Sequence, residues 1–144
     1  MSESCQVDFY VLARPDQSAQ RLACRLAMMA WEQGYRIVVL AGDKSSAAAL
    51  DEAMWDFPQG RFLPHSSEQD SADAPVAIAT NCEEKFSDRD VVINLTDETV
   101  PEPGRFRRLL EIVPADDRQR NSSRLKFREY RDLGLNPASH TIGQ

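Results

Sequence analysis

Cysteines, clustered glycines and long apolar runs are scarce in this 144-residue chain, and each shortage argues against a class of protein. The three cysteines, Cys5, Cys24 and Cys82, are odd in number and widely spaced, unlike a disulfide framework or a structural zinc site. No apolar run approaches the roughly 18 residues that span a bilayer. The first residues include early acid and no basic segment, so we expect no secretory signal and a reducing cytoplasmic location.

The six glycines are scattered, and none lies in the turn VLARPDQSAQRL after the first predicted strand. Nucleotide-binding folds need glycines there to bring the backbone close to a pyrophosphate, and neither a GxGxxG nor a P-loop pattern occurs. Asp51, Asp97 and Glu98 lie in Asp-Glu pairs of the kind with which an NTPase holds magnesium, but without a phosphate loop we interpret them as solvated carboxylates. We therefore expect no catalytic residue, no cofactor and no metal. A degenerate NTPase or nuclease is kept as an alternative.

Apolar segments of strand length recur along the chain, and most lack the alternation of a strand with one face in water. They lie at residues 7–13, 35–42, 75–80 and 90–96, with a short candidate edge strand at 61–65. Helical patterns separate them. The sequence therefore predicts one α/β domain over residues 1–144, a three-layer Rossmann-like arrangement with a mostly parallel sheet and no nucleotide-binding glycine loop.

The helical segments have recognisable ends. We place helices from Asp16 or Ser18 to Gly34, from Asp43 or Ser45 to before Pro58, and from Asp116 or Asp117 to Gly134. FRRLLEIV, residues 106–113, fits a helix or a strand by pattern. We prefer a helix from about Pro103 to Leu110 that passes into a strand at 111–113. Residues from about 135 to 144 are expected to form a C-terminal tail or a strap.

Basic charge is concentrated in the last quarter of a chain whose formal net charge is −6. Residues 1–104 carry 8 Lys and Arg against 18 Asp and Glu, whereas residues 105–144 carry 9 against 5. Such an acidic body argues against general electrostatic binding of nucleic acid, because phosphate binding needs many unopposed cations. A local basic site is compatible with this distribution.

The basic residues of the last predicted helix form one stripe. At about 100° per residue, the residues that share this face are Arg120, Arg124, Arg128 and Arg131. Phe127 borders the stripe, whereas Tyr130 and Leu133 are expected to face the core. Like charges four residues apart destabilise a helix by only a few tenths of a kcal/mol per pair. This cost is too small to decide whether the stripe is a binding site.

Two interpretations of the stripe stay open. It is either a solvated face or a pocket in which guanidinium groups grip a carboxylate while Phe127 contacts an apolar side chain. An acidic peptide with an apolar terminal residue would suit such a pocket, and single-stranded nucleic acid stacking on Phe127 is the rival ligand.

A second apolar group lies around Pro58 and Pro64, and it consists of Trp55, Phe57, Phe62 and Leu63. It belongs either to the core or to a patch that docks a partner subunit.

Several stretches, in this order, resemble the chi subunit of bacterial DNA polymerase III, an accessory protein of the clamp loader. They are VDFYVL, LDEAMWDFPQGRFLPH, PVAI, RRLLEIVPADD and RLKFREYRDLGL, and together they span nearly the whole chain. The resemblance implies a Rossmann-like domain without catalytic activity, associated with the replisome in the cytoplasm. It also implies a bridge from the clamp loader, through the psi subunit, to the single-stranded DNA-binding protein (SSB).

The same resemblance implies roles for particular residues. The SSB tail is acidic and ends in a phenylalanine carboxylate, and the family's tail-binding basic pair falls on Arg120 and Arg124. Phe127 is the nearby aromatic, with Arg128 beside it. Ser123 departs from the family, which usually has alanine there.

The apolar psi-binding surface of the family falls on Trp55, Phe62 and Val113. We therefore expect a heterodimer with psi, and direct binding of neither nucleic acid nor membrane.

Overall fold

The structure, a computed structural model, describes residues 5–56, 65–66, 74–80 and 88–143. Its strands are β1 (Gln6–Leu12), β2 (Ile37–Leu40), β3 (His65–Ser66), β4 (Val76–Ala79), β5 (Val91–Asn94), β6 (Arg108–Val113) and β7 (Ala138–Ile142). Its helices are α1 (Ala19–Glu32), α2 (Lys44–Asp56) and α3 (Asp117–Asp132). Within the described residues the seven strands form one sheet, ordered β3-β4-β2-β5-β6-β1-β7, and every neighbouring pair is parallel.

Helices cover both faces of this sheet, which confirms the predicted three-layer α/β fold. Successive side chains along each strand enter two separate cores, as the pleat of a strand requires. α1 and α2 cover the core that contains Leu12 and Ile112. α3 covers the opposite core, which contains Phe9 and Val113. None of the described helices is both long and apolar enough to cross a membrane.

The predicted helix starts are confirmed at Ser18, Asp43 and Asp116. In each case the side-chain oxygen accepts a hydrogen bond from a backbone N–H two or three residues further on, the usual N-cap interaction. Gly34 and Gly134 follow α1 and α3 with φ of 90° and 88°, a left-handed conformation that favours glycine. Local side-chain chemistry therefore determines where these helices begin and end.

Residues 108–110 form the first half of a strand where a helix was preferred, and the strand predicted at 111–113 is confirmed. A single 3₁₀ turn, Pro103–Arg105, precedes β6, so the predicted helix extending to Leu110 is wrong. β6 lies between β1 and β5 near the centre of the sheet. Leu110 packs on the α1 side and Leu109 on the α3 side. A strand buried on both faces carries a continuous apolar run, and such a run resembles a buried helix in pattern.

The residues expected as a C-terminal tail contain the edge strand β7, which pairs in parallel with β1. His140 Nε2 lies 2.9 Å from Asp8 Oδ1, and the His140 ring stacks on Tyr10 with centroids 5.2 Å apart. Arg108 Nη2 donates to the other oxygen of Asp8 at 2.8 Å. Burial opposes the charge of Asp8, but its hydrogen bonds, with His140 first among them, outweigh burial and lower its pKa. The contacts of His140 with Asp8 and Tyr10 attach β7 to the sheet.

Candidate functional site

A cavity of about 440 Å³ lies between α3 and the edge of the sheet formed by β1 and β7. We call it the α3–β7 cavity. Its walls are apolar where the strands contribute and cationic where α3 contributes. The residues on the strand side come from β1, β6, β7 and the position after β1, and they are Phe9, Val11, Ala13, Val113, Ser139 and Thr141. The helix α3 supplies Arg120, Ser123, Arg124 and Phe127.

Arg120 is half-buried and lies where β1 ends. Its Nη2 donates to the carbonyl of Leu12 at 3.2 Å, which orients the guanidinium group. Its Nε is also buried and has no hydrogen-bond partner among the residues that the structure describes. An arginine side chain carries five N–H donors, and because Nε is buried, the Nη groups of Arg120 are the donors that a ligand can reach.

Arg124 and Phe127 complete the helical wall of the cavity. Arg124 is exposed, and its Nη1 donates to Oδ1 of Asn121 at 2.9 Å. Phe127 is half-buried, with its ring centroid 5.3 Å from that of Phe9 at a tilt of 47°. The structure thus brings together Arg120, Arg124 and Phe127. Arg128, the fourth predicted tail-binding residue, is exposed on α3 outside the cavity lining.

Of the residues predicted to bind psi, the two that lie within the described ranges, Trp55 and Val113, are on different sides of the sheet. Val113 is 2 % exposed and lies in the wall of the α3–β7 cavity. Trp55 lies in the last turn of α2, which packs on the opposite face of the sheet. Phe62 lies outside the described residues, as do Phe57 and Leu63 of the same predicted apolar group.

A buried polar network that we did not predict lies on the inner side of α3. Glu111 on β6 is fully buried and accepts a hydrogen bond from Lys126 Nζ at 2.8 Å. It also accepts from Tyr130 Oη at 2.6 Å and Asn94 Nδ2 at 2.9 Å. Lys126 donates to the carbonyl of Thr96 as well, at 2.6 Å. The one signal in the sequence was a glutamate, Glu111, inside the apolar run RLLEIV. The sequence alone does not indicate that Lys126 is its partner.

This network orients α3. Burial raises the pKa of Glu111, against the opposing effects of the Lys126 charge and of hydrogen bonds from Lys126, Tyr130 and Asn94. Because Lys126 and Tyr130 point into the molecule, the arginine stripe occupies the other side of the helix. Leu133 was predicted to face the core, but it is 63 % exposed because it follows the last residue of α3.

The carboxylates of the enzyme alternative lie on separate elements. Asp51 is on α2, whereas Asp97 follows β5 and forms an ion pair with Arg118 at 3.1 Å. In the described ranges no three His, Cys, Asp or Glu side chains are grouped as metal ligands. Burial raises the pKa of Cys5 and Cys24 to about 11, so neither is a thiolate near neutral pH.

A solved structure of a Dbp5 variant from S. cerevisiae, bound to RNA and ADP BeF3, resembles this chain with a TM-score of 0.60. The likeness covers 96% of this chain and 42% of that chain at 11% sequence identity. It therefore shows the shared α/β fold alone.

The family model of the DNA polymerase III chi subunit, HolC, matches residues 5–138. Three proteins named DNA polymerase III subunit chi are similar over most of their length. The Pseudomonas aeruginosa protein is 38% identical over 138 residues, covering 95% of this chain and 96% of that protein. The Escherichia coli K12 protein is 31% identical over 121 residues (83% and 82%), and the Haemophilus influenzae protein is 26% identical over 138 residues (94% and 96%). The chain therefore belongs to the DNA polymerase III chi subunit family of replication accessory subunits.

Proposed function

We propose that this chain is a non-catalytic adaptor of the polymerase holoenzyme, acting in the cytoplasm at the replisome. It bridges the clamp loader, through psi, to the acidic C-terminal tail of SSB during DNA replication. The α3–β7 cavity is the observation that carries this proposal, since two guanidinium groups and an aromatic ring line a cavity with an apolar floor.

A tail that ends in phenylalanine presents an aromatic ring next to a free α-carboxylate. The ring fits among Phe9, Val113 and Phe127, where its burial is favourable. The carboxylate fits between Arg120 and Arg124, which are one helical turn apart. Charge-assisted hydrogen bonds of this kind are about twice as strong as neutral ones.

The acidic residues that precede the terminal phenylalanine meet the rest of the arginine stripe. Arg128 is exposed two turns after Arg120 and is free to attract them through solvent. A nucleic acid would gain the same local attraction, but its extended phosphate backbone would also approach a body of net negative charge. The distribution of charge therefore favours a short acidic peptide over DNA.

Psi is assigned to the surface near Trp55 and Phe62. Trp55 lies on α2, which covers the face of the sheet opposite to α3. Binding on opposite faces would allow psi and the SSB tail to be held at once, as a bridge requires. Val113 lies in the cavity wall, and we assign it to the tail site rather than to psi.

Replacing Arg124 with alanine is expected to weaken binding of an acidic peptide ending in Phe by about 30-fold, or about 2 kcal/mol. The reason is that the variant removes a charge-assisted contact to the terminal carboxylate and leaves the buried polar network of α3 in place. Titration of a fluorescently labelled synthetic peptide, followed by anisotropy, measures the effect.

Arg118→Ala is the matched control for this titration. It removes the same charge from the same helix, but Arg118 pairs with Asp97 and does not line the α3–β7 cavity. Its peptide affinity should stay within about twofold of wild type. Adding psi should leave the affinity unchanged, and an oligonucleotide alone should not compete at physiological salt. Equal affinities for Arg124→Ala and wild type would show that the site is misplaced.

A further inference from the structure

The outer edge of β7 is unpaired in the described sheet, since β1 is its one neighbour there. The carbonyl of Ile142 accepts a hydrogen bond from the backbone N–H of Ala13 at 3.1 Å, so the peptide groups of Ile142 face β1. Successive residues of a strand direct their N–H and C=O groups to alternate sides. The backbone N–H and C=O of Ser139 and Thr141 therefore point away from β1, toward solvent.

Ser139 and Thr141 also line the α3–β7 cavity. In the register of the sheet they pair with Phe9 and Val11, whose side chains lie on the α3 face. Their own side chains enter the cavity from the same face. Each of the two residues thus offers a hydroxyl group to the cavity and a free backbone donor and acceptor at the adjoining edge.

The sequence of β7, ASHTI, contains neither proline nor lysine, the residues that often block pairing at an exposed edge. On the other face of the sheet, His140 contacts Asp8, which holds β7 in register with β1. Among the residues that the structure describes, the edge is therefore unpaired and held in a fixed position.

We propose that the peptide held in the α3–β7 cavity adds to the sheet as a further strand, paired with the backbone of Ser139 and Thr141. This inference rests on the proposed function and names how the acidic tail is bound. Two observations favour the tail as the occupant of this edge. The edge is continuous with the cavity, and the guanidinium groups of Arg120 and Arg124 in the cavity wall complement an acidic chain. Main-chain pairing adds affinity for any extended segment, while the cavity selects the terminal residue.

Amide hydrogen exchange measured by NMR, with and without saturating peptide, tests this pairing residue by residue. The probe is a short synthetic peptide rich in aspartate that ends in phenylalanine with a free carboxylate. The amides of Ser139 and Thr141 should exchange at least about tenfold more slowly in the complex. The amide of His140, which faces β1 in both states, should change little and serves as the internal control.

A second measurement uses the same peptide with one N-methyl group moved along its backbone. Strand addition predicts that alternate positions weaken binding by about tenfold, because only every second N–H faces β7. If wild-type protein binds the peptide but Ser139 and Thr141 gain no protection, strand addition is wrong and the proposed function stands. If wild-type protein fails to bind the peptide at all, the proposed function fails and strand addition fails with it.

Discussion

Replacing Lys126 with methionine is expected to lower the free energy of unfolding by about 3–5 kcal/mol, the usual cost of removing one partner from a buried ion pair. Lys126 is 5 % exposed, and its Nζ lies 2.8 Å from Oε1 of the fully buried Glu111. The methionine fills much of the same volume but leaves the carboxylate without a counter-charge. Thermal unfolding followed by circular dichroism should record a melting temperature about 10 °C below that of wild type.

The Lys126→Met variant should also show a distinctive pH dependence. Burial already raises the pKa of Glu111 in the folded protein, and loss of the ammonium group raises it further. A carboxyl whose folded pKa lies above its unfolded value, about 4.3, binds its proton more tightly when folded. The contribution of Glu111 to the stability of the variant is therefore largest at acid pH and falls as the pH rises through the interval between the two pKa values. Urea unfolding at several pH values measures this slope.

A double-mutant cycle separates the charge interaction from packing. In a Glu111→Gln background the carboxylate is absent, so Lys126→Met should cost at least about 1 kcal/mol less than it costs in wild type. Arg131→Met, at an exposed position on the same helix, should cost less than about 0.5 kcal/mol. Equal costs of Lys126→Met in both backgrounds would contradict the assignment of the charge pair.

Replacing Arg89 with methionine is the second large effect, an expected loss of about 3 kcal/mol. Arg89 is buried, and its Nη1 donates to the carbonyls of Ile37 at 3.3 Å, Pro75 at 2.9 Å and Ala74. These carbonyls lie where β2 and β4 begin, so one side chain holds the starts of two neighbouring strands together. A methionine cannot donate to any of the three. The carbonyl of Pro75 keeps a hydrogen bond from the backbone N–H of Ile37 at 2.8 Å, whereas a buried carbonyl left with no donor costs about 1–3 kcal/mol.

Arg107→Met is the matched control for the Arg89 variant. Arg107 has a side chain that is 65 % exposed and lies 3.9 Å from Asp90, a surface pair of small value. Its replacement should change the free energy of unfolding by less than about 0.5 kcal/mol. Arg89→Lys should fall between the two, because an ammonium group retains the charge but not the planar fork of donors. If urea titration gave the same small loss in the free energy of unfolding for Arg89→Met and Arg107→Met, Arg89 would not hold the starts of β2 and β4 together.

The parts of the fold that depend on local chemistry were predictable from the sequence. The caps at Ser18, Asp43 and Asp116 are side chains that bond to their own helix, so their residue types signal the helix starts. β7 could not be recognised in the same way. β7 is a segment of five mostly polar residues. It forms a strand because β1 is adjacent to it in space.

The first half of β6, residues 108–110, was placed in a helix for a related reason. Its apolar residues are continuous because both faces of the strand are covered, and such a run has no period that distinguishes it from a buried helix. Leu110 and Leu109 enter opposite cores only because β6 lies between β1 and β5. That position is a property of the whole sheet.

The candidate site was predictable on its helical side and not on its strand side. A helical wheel places Arg120, Arg124 and Phe127 together, and the structure gathers them around one cavity. The same sequence run contains Lys126, which the structure turns inward toward Glu111 on another element. Ser139 could not have been assigned to the cavity without the pairing of β7 to β1.

The most direct measurement of where the terminal residue of the tail binds is a set of intermolecular nuclear Overhauser effects. The peptide ends in a phenylalanine whose ring carries ordinary ¹H atoms, and the protein is isotopically labelled at its methyl groups. Contacts from the phenylalanine ring to the methyl groups of Val11 and Val113 are the predicted result, since both line the α3–β7 cavity. Contacts instead to Leu125, which is 58 % exposed near Glu129 and lines a separate cavity, would contradict the proposed site.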